Sequence, residues 1–149
     1  MPTSYPDVRA VDKAILTILQ NDPILSAIMP GGVHWDVAPI GLTQFVIVTL
    51  QDFVADYVFG ADDSGTETIG YLVKAIARTS AADAPLDAAA RIHDLLHRQP
   101  LPLTDTGYEL MVMQRTRRVR YSEFDKDNNE WQHIGGVYSV MLSTGTMTT

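Results

Sequence analysis

The chain contains no cysteine. That excludes disulfides, thiolate-bound metals and thiol nucleophiles, and it suits a reducing compartment. Long apolar runs are also missing. The longest are strand length, well short of the ~20 residues that cross a membrane, so no membrane partner is expected. The opening residues MPTSYPDVRA have no apolar core, and no signal peptide is expected. Basic residues are scarce: 11 Lys and Arg stand against 18 Asp and Glu, a formal net charge of −7. A molecule that acidic repels phosphate and is a poor generic nucleic-acid binder.

What is present is an apolar fraction of 46% in 149 residues, enough for one domain with a core that needs no staples. Charge is unevenly spread. Four of the basic residues, Arg115, Arg117, Arg118 and Arg120, fall within six positions. Asp52, Asp56, Asp62, Asp63 and Glu67 form an earlier acidic stretch. Such asymmetry predicts surfaces with different partners.

Periodicity sets the element order. Val8, Val11, Ile15, Ile18 and Leu19 form one helical stripe over residues 7–20. Asp22 and Pro23 suit the N-cap and first position of a short second helical turn, which Pro30-Gly31-Gly32 ends. Strands are predicted at 33–35 and 44–53, with a Pro/Gly turn, DVAPIG, between them. The second has apolar or β-branched residues on both faces and calls for cover on both sides. Residues 54–66 read as a mobile loop. Over 67–79, Ile69, Tyr71, Val73, Ala75 and Ala77 alternate onto one face, which is expected to point inward. A helix follows over 82–98, with a stripe of Leu86, Ala89, Ile92 or His93, and Leu96. Pro100 and Pro102 end it. Two long strands, 108–121 and 131–143, close the chain. The expectation is an α+β fold in the order α-β-β-β-α-β-β. It has a mixed, mostly antiparallel sheet of about five strands packed by two helices. Residues 1–142 form a single domain, and 143–149 a loose tail.

The basic strand is the most physical clue. With strict alternation, Arg115 and Arg117 point one way and Arg118 and Arg120 the other, so neither face of 115–120 is apolar. The segment is therefore expected to leave the body as a protruding hairpin arm, about 115–131, with Asp125–Asn129 at its tip. A lone two-stranded ribbon is marginal in water. Tyr121, Phe124 and Trp131 on such an arm make sense if another subunit covers them. The alternatives are a solvated edge strand guarded by arginines and nucleic-acid contact through arginines and aromatics.

Catalytic chemistry is searched for and not found. His93 and His97 have i, i+4 chelating spacing but no glutamate after the first, and nothing positions His34 or His133 as a third ligand. Histidines near the C-terminal end of a helix explain them. Asp125, Asp127 and Asn129 match the start of a calcium loop, but Glu130 and Gly136 stand where Gly and Glu are required. Gly60–Gly65 lacks the Lys-Ser/Thr of a phosphate loop, and no Gly-x-Ser-x-Gly elbow occurs. No catalytic residues, metal ligands or cofactors are assigned, and the chain is not expected to be an enzyme.

Three segments carry a family resemblance: AVDKAILTILQNDPILSAIM, GGVHWDVAPIGLTQFVIVTL, and ETIGYLVKAIARTSAADAPLDAAARIHDLLH. Together with the closing strand pair, they make the chain resemble the tail-terminator (tail-completion) proteins of long-tailed bacteriophages over residues 7–142. The Asp-Val-Ala-Pro turn is the sharpest element. The resemblance implies a virion protein, assembled in the bacterial host cytoplasm, that closes as a hexameric ring at the head-proximal end of the tail. The ring ends tube polymerisation and joins the tail to the head connector. Its partners would be its own copies, the tail tube protein and a head-tail connector or stopper protein. DNA would pass through its channel without sequence-specific binding. On this reading Arg115, Arg117, Arg118, Arg120, Tyr121, Phe124 and Trp131 form a subunit or partner interface. Asp56, Asp62 and Asp63 face the channel or tube. The competing roles are a head-side connector, stopper or neck adaptor, and a small ligand-binding or metal-dependent domain using His93 and His97.

Overall fold

The computed structural model describes residues 7–57, 65–104 and 106–144. Helix α1 spans Val8–Gln20, with the Asp7 carboxylate accepting from the Arg9 N–H as N-cap. Of its buried residues, Val11, Ala14, Ile15 and Leu19, all but Ala14 belong to the predicted stripe, whose Val8 and Ile18 are partly buried against the core. Helix α2, Pro23–Ile28, starts at the expected Asp22 cap. The strands are β1 Val33–Trp35, β2 Gln44–Tyr57, β3 Gly65–Arg78, β4 Tyr108–Phe124 and β5 Glu130–Thr144. Helix α3, Asp83–Leu96, lies between β3 and β4.

The sheet order is β1-β2-β3-β5-β4. β1 pairs with β2 in parallel, and every other pair is antiparallel. The α+β class and the mixed, mostly antiparallel five-stranded sheet are as expected. One face carries the core. Ile69, Tyr71, Val73, Ala75 and Ala77 of β3 are all buried on it. They pack in one cluster with Val46, Val48, Met113, Tyr138, Val140 and Leu142 of the neighbouring strands and with the buried stripes of α1 and α3. Each fully buried aliphatic side chain there contributes roughly 1.5–3 kcal/mol. Among the described residues, no helix covers the other face. That face nevertheless buries Ile47, Ile76 and His133 beneath neighbouring side chains.

Two elements differ from expectation. In α3 the buried residues are Pro85, Ala88, Ile92 and Leu96. The core stripe is thus rotated from the predicted Leu86 and Ala89, and Leu86 is 38% exposed. The helix turns Ala88 to the sheet and leaves Leu86 and His93 along its flank. The second difference concerns the hairpin. β5 keeps register with β3 from Gly65↔Thr144 to Arg78↔Trp131. The segment expected to project is therefore the outer border of the sheet, and only the end of the hairpin lies past the last β3 pair. Unbroken alternation along β5 explains this, since Ile134, Tyr138, Val140 and Leu142 all need the core face. The expected tail also begins later, because Ser143 and Thr144 are still in the ladder.

Candidate assembly surface

Two β-bulges re-aim the basic strand. The β4–β5 register shifts between Leu110 and Val112 and again between Arg115 and Arg117. At each shift an extra β4 residue stands opposite the ladder, which reverses the alternation beyond it. Arg115 pairs with Tyr138, Arg118 with Gly136 and Arg120 with Ile134, all on the helix-covered face. Arg117 pairs with Val137 on the open face. The two-and-two division expected from strict alternation is corrected to three and one. Gly136 makes the room: a Cβ there would stand 2.7 Å from Arg115 Cδ and 2.8 Å from the Arg117 carbonyl oxygen.

The three arginines line a groove of about 380 Å³ between α3 and β4, with Leu86, Ala89, Ala90, His93 and Asp94 along its helix side and Ile134 and Gly135 on its floor. Among the described residues none of Arg115, Arg117, Arg118 and Arg120 forms an ion pair. Positive charge therefore dominates, with Asp94 at the rim. Burial, then Arg115 and His97, hold the His93 pKa below its usual value. The His93 and His97 rings stack with centroids 4.4 Å apart. The Arg115 backbone N–H donates to His97 Nδ1 at 3.1 Å, which places the proton of a neutral His97 on Nε2. The Arg98 N–H donates to the Met113 carbonyl at 2.6 Å. Residues just after α3 thus occupy the outer edge of β4 at Met113–Arg115. Burial pushes the Tyr138 hydroxyl up to about 12, and Arg115 opposes part of that.

The aromatic residues of the hairpin find partners within their own chain. Tyr121 stacks on His133, with centroids 4.5 Å apart and planes 11° apart, and its hydroxyl accepts from Lys74 Nζ at 2.6 Å. His133 Nε2 lies 3.1 Å from Glu123. Trp131 packs beside Phe45, and its indole N–H donates to Asp125 at 3.0 Å. Asp125 organises the hairpin tip. Hydrogen bonds from Trp131, Asn129 and Asp127 hold its carboxyl down at about 2. Asn128 takes the left-handed conformation, which asparagine tolerates. The calcium-like residues are thus a capped turn. Phe124 is 63% exposed.

The acidic stretch is less of a loop than expected. β2 continues to Tyr57, and Asp56 pairs with Thr66 in the ladder. Asp62 and Asp63 lie outside the described residues. Among the described residues no three potential ligands come together to hold a metal. His34 bonds to the Gly31 carbonyl and His133 sits on the opposite face from His93.

Sequence reasoning did not find the Asp22–Arg91 pair. Asp22 both caps α2 and accepts from Arg91 at 2.6 and 2.9 Å. The Arg91 hydrogen bond is the largest cause holding its carboxyl below the usual range. Nothing local links residues 69 positions apart. Gly135-Gly136 was legible in principle, because paired glycines inside a strand pattern mark close approach.

No family model matches the chain, and no curated protein matches it. Among solved structures it is similar to a chain from the virion of a native gene transfer agent particle. That match has a TM-score of 0.69 and 18% identity, over 94% of this chain and 99% of that one. It is also similar to a second solved chain of no stated function, at TM-score 0.53 and 11% identity, over 96% of this chain and 99% of the other. At these identities the likeness is one of fold, and it spans nearly the whole of each chain.

Proposed function

We propose that this chain is a structural protein of a phage-like virion. It closes as a ring at the head-proximal end of the tail, ends tube growth and joins the tail to the head connector. The observation that carries the reading is the end-to-end fold likeness to a chain of a gene transfer agent virion. The tail-terminator resemblance of residues 7–142 supports it independently.

The work is assembly rather than chemistry. A ring needs a heterologous contact, one surface of each copy meeting a different surface of the next, related by a rotation that closes. The basic flank of β4 is one such surface, and the acidic stretch from Asp52 to Glu67 carries charge of the opposite sign. Arginine suits the first because its planar fork binds carboxylates in two parallel hydrogen bonds. The exposed Phe124 and the open-face aromatics supply apolar area where charge alone gives little affinity. Its partners are its own copies, a tail tube protein and a head-tail connector. DNA passes through the channel without sequence-specific contact.

Electron microscopy of purified tail tubes mixed with the protein tests this reading. Density capping one end of the tubes, and arrest of further tube polymerisation, are the expected results. Binding to connector rings but not to tubes would move the protein to the head side of the joint. Binding to neither would end the virion reading.

A further inference from the structure

We infer that the arginine groove between α3 and β4 receives the acidic hairpin end, residues 123–130, of a second copy of this chain. The inference rests on the ring reading above and names its contact. Arg115, Arg118 and Arg120 line the groove, form no ion pair among the described residues, and meet a single rim carboxylate, Asp94. The groove runs beside β4, the last strand of the sheet, so a segment can enter from the edge. Leu86 gives it an apolar wall.

The hairpin end has the complementary chemistry. Residues 123–130 hold four carboxylates, those of Glu123, Asp125, Asp127 and Glu130, against one lysine. Phe124, exposed beside them, matches the Leu86 wall and is the kind of aromatic that anchors a contact. The shape is set before docking. The Asp125 carboxylate accepts from the backbone N–H groups of Asp127 and Asn129, each at 2.9 Å, and from the Trp131 indole at 3.0 Å. A segment already ordered loses little freedom when it binds. It also lies past the last β3–β5 pair, Arg78↔Trp131, so it stands clear of the inner strands. It cannot fill the groove of its own subunit. Arg118 pairs with Gly136 and Phe124 with Glu130, and every β4 residue between them is paired to β5. Those six residues span about 20 Å at about 3.3 Å each, and the ladder stops the strand from folding back. The contact is therefore between copies. Groove and hairpin end are unlike surfaces, and repeated head to tail they close a ring.

Complementary charge reversals test it, read by mass photometry and light scattering. R118E/R120E makes the groove acidic and keeps the acidic hairpin end; E123K/D127K keeps the groove and makes the hairpin end basic. All four positions are exposed, and circular dichroism checks that each variant folds. Each variant alone sets like charge against like and is expected to weaken self-association by about tenfold or more. Mixed one to one, the two variants are complementary at both contacts and regain assembly. The chain carrying all four reversals regains it alone. Phe124→Ala, which changes no charge, is expected to weaken association by about fivefold or more. Wild-type association is expected to weaken as salt rises, because exposed pairs are screened. Reversal variants that associate like wild type, a mixture that stays monomeric, a wild-type assembly that stops at a two-fold dimer, or a wild-type chain that is monomeric at high concentration would each overturn the inference. Tube capping tests the virion reading separately and can succeed when this contact fails.

Discussion

From Tyr108 to Met113, strand β4 belongs to the core: Tyr108 and Met113 are buried and cluster with Leu96, Leu101 and Leu103. From Arg115 to Phe124 the same strand, paired to the same neighbour, buries no side chain. β4 stays paired to β5 through both halves, interrupted only by the two bulges, so pairing does not decide the difference. Cover does. The inner half has the 101–103 segment and the end of α3 against it, and the outer half has a groove. A strand can thus be fixed in place by its partner while its side chains stay available.

The comparison breaks most sharply at Met113. Met113→Ala should cost about 2–5 kcal/mol, the range for emptying a fully buried site, whereas Val119→Ala in the outer half should cost under about 1 kcal/mol. Urea denaturation of both variants checks the contrast. Equal losses would mean that the outer half is as tightly covered as the inner. Gly135→Ala comes next and tests the outer half from beneath. Its added Cβ would stand 2.0 Å from the Val73 carbonyl oxygen. The β3–β5 pair must then spread, at about 1–3 kcal/mol, read in the same denaturation series.

The third prediction concerns pH. Burial, then Lys74, depress the His133 pKa, and Glu123 only partly opposes them. The folded state therefore prefers neutral imidazole. Its contribution is complete above the ordinary histidine value of 6.5 and is lost as pH falls through 6.5 towards the lowered folded value. Wild type should lose stability between pH 7.5 and 5, and His133→Gln should flatten that slope. His93, also depressed, leaves a residual slope. The smallest effect is expected at Arg117. Arg117→Glu on the exposed face should shift monomer stability by no more than about 0.5 kcal/mol, and a large loss would reveal a partner for that guanidinium.

Much of the fold was legible because local signals agreed with the global one. The α1 stripe, the Asp22 cap and the alternation of β3 each reported burial directly, and each holds. On α3 the stripe held at Ile92 and Leu96, whereas Pro85 and Ala88 were missed in favour of Leu86 and Ala89 because proline and alanine score low as core markers. The arginine division failed for a different reason. A bulge inserts a residue without leaving a distinctive local pattern, and one residue is enough to reverse a period of two. The hairpin's aromatic partners were hidden because Phe45, Lys74 and His133 come from three other places in the chain or register. The arginines were legible as a group, but their convergence on one side was not.

The outer border of the sheet also carries a prohibition. Two copies laid border to border through β4, about a two-fold axis, would bring eight guanidinium groups together with few carboxylates between them. Like charges facing across strands are destabilising, and arginine-studded borders resist stray pairing. The strand is thus self-avoiding. It disfavours a symmetric dimer built border to border through β4, although two-fold dimers are the commonest closed assemblies.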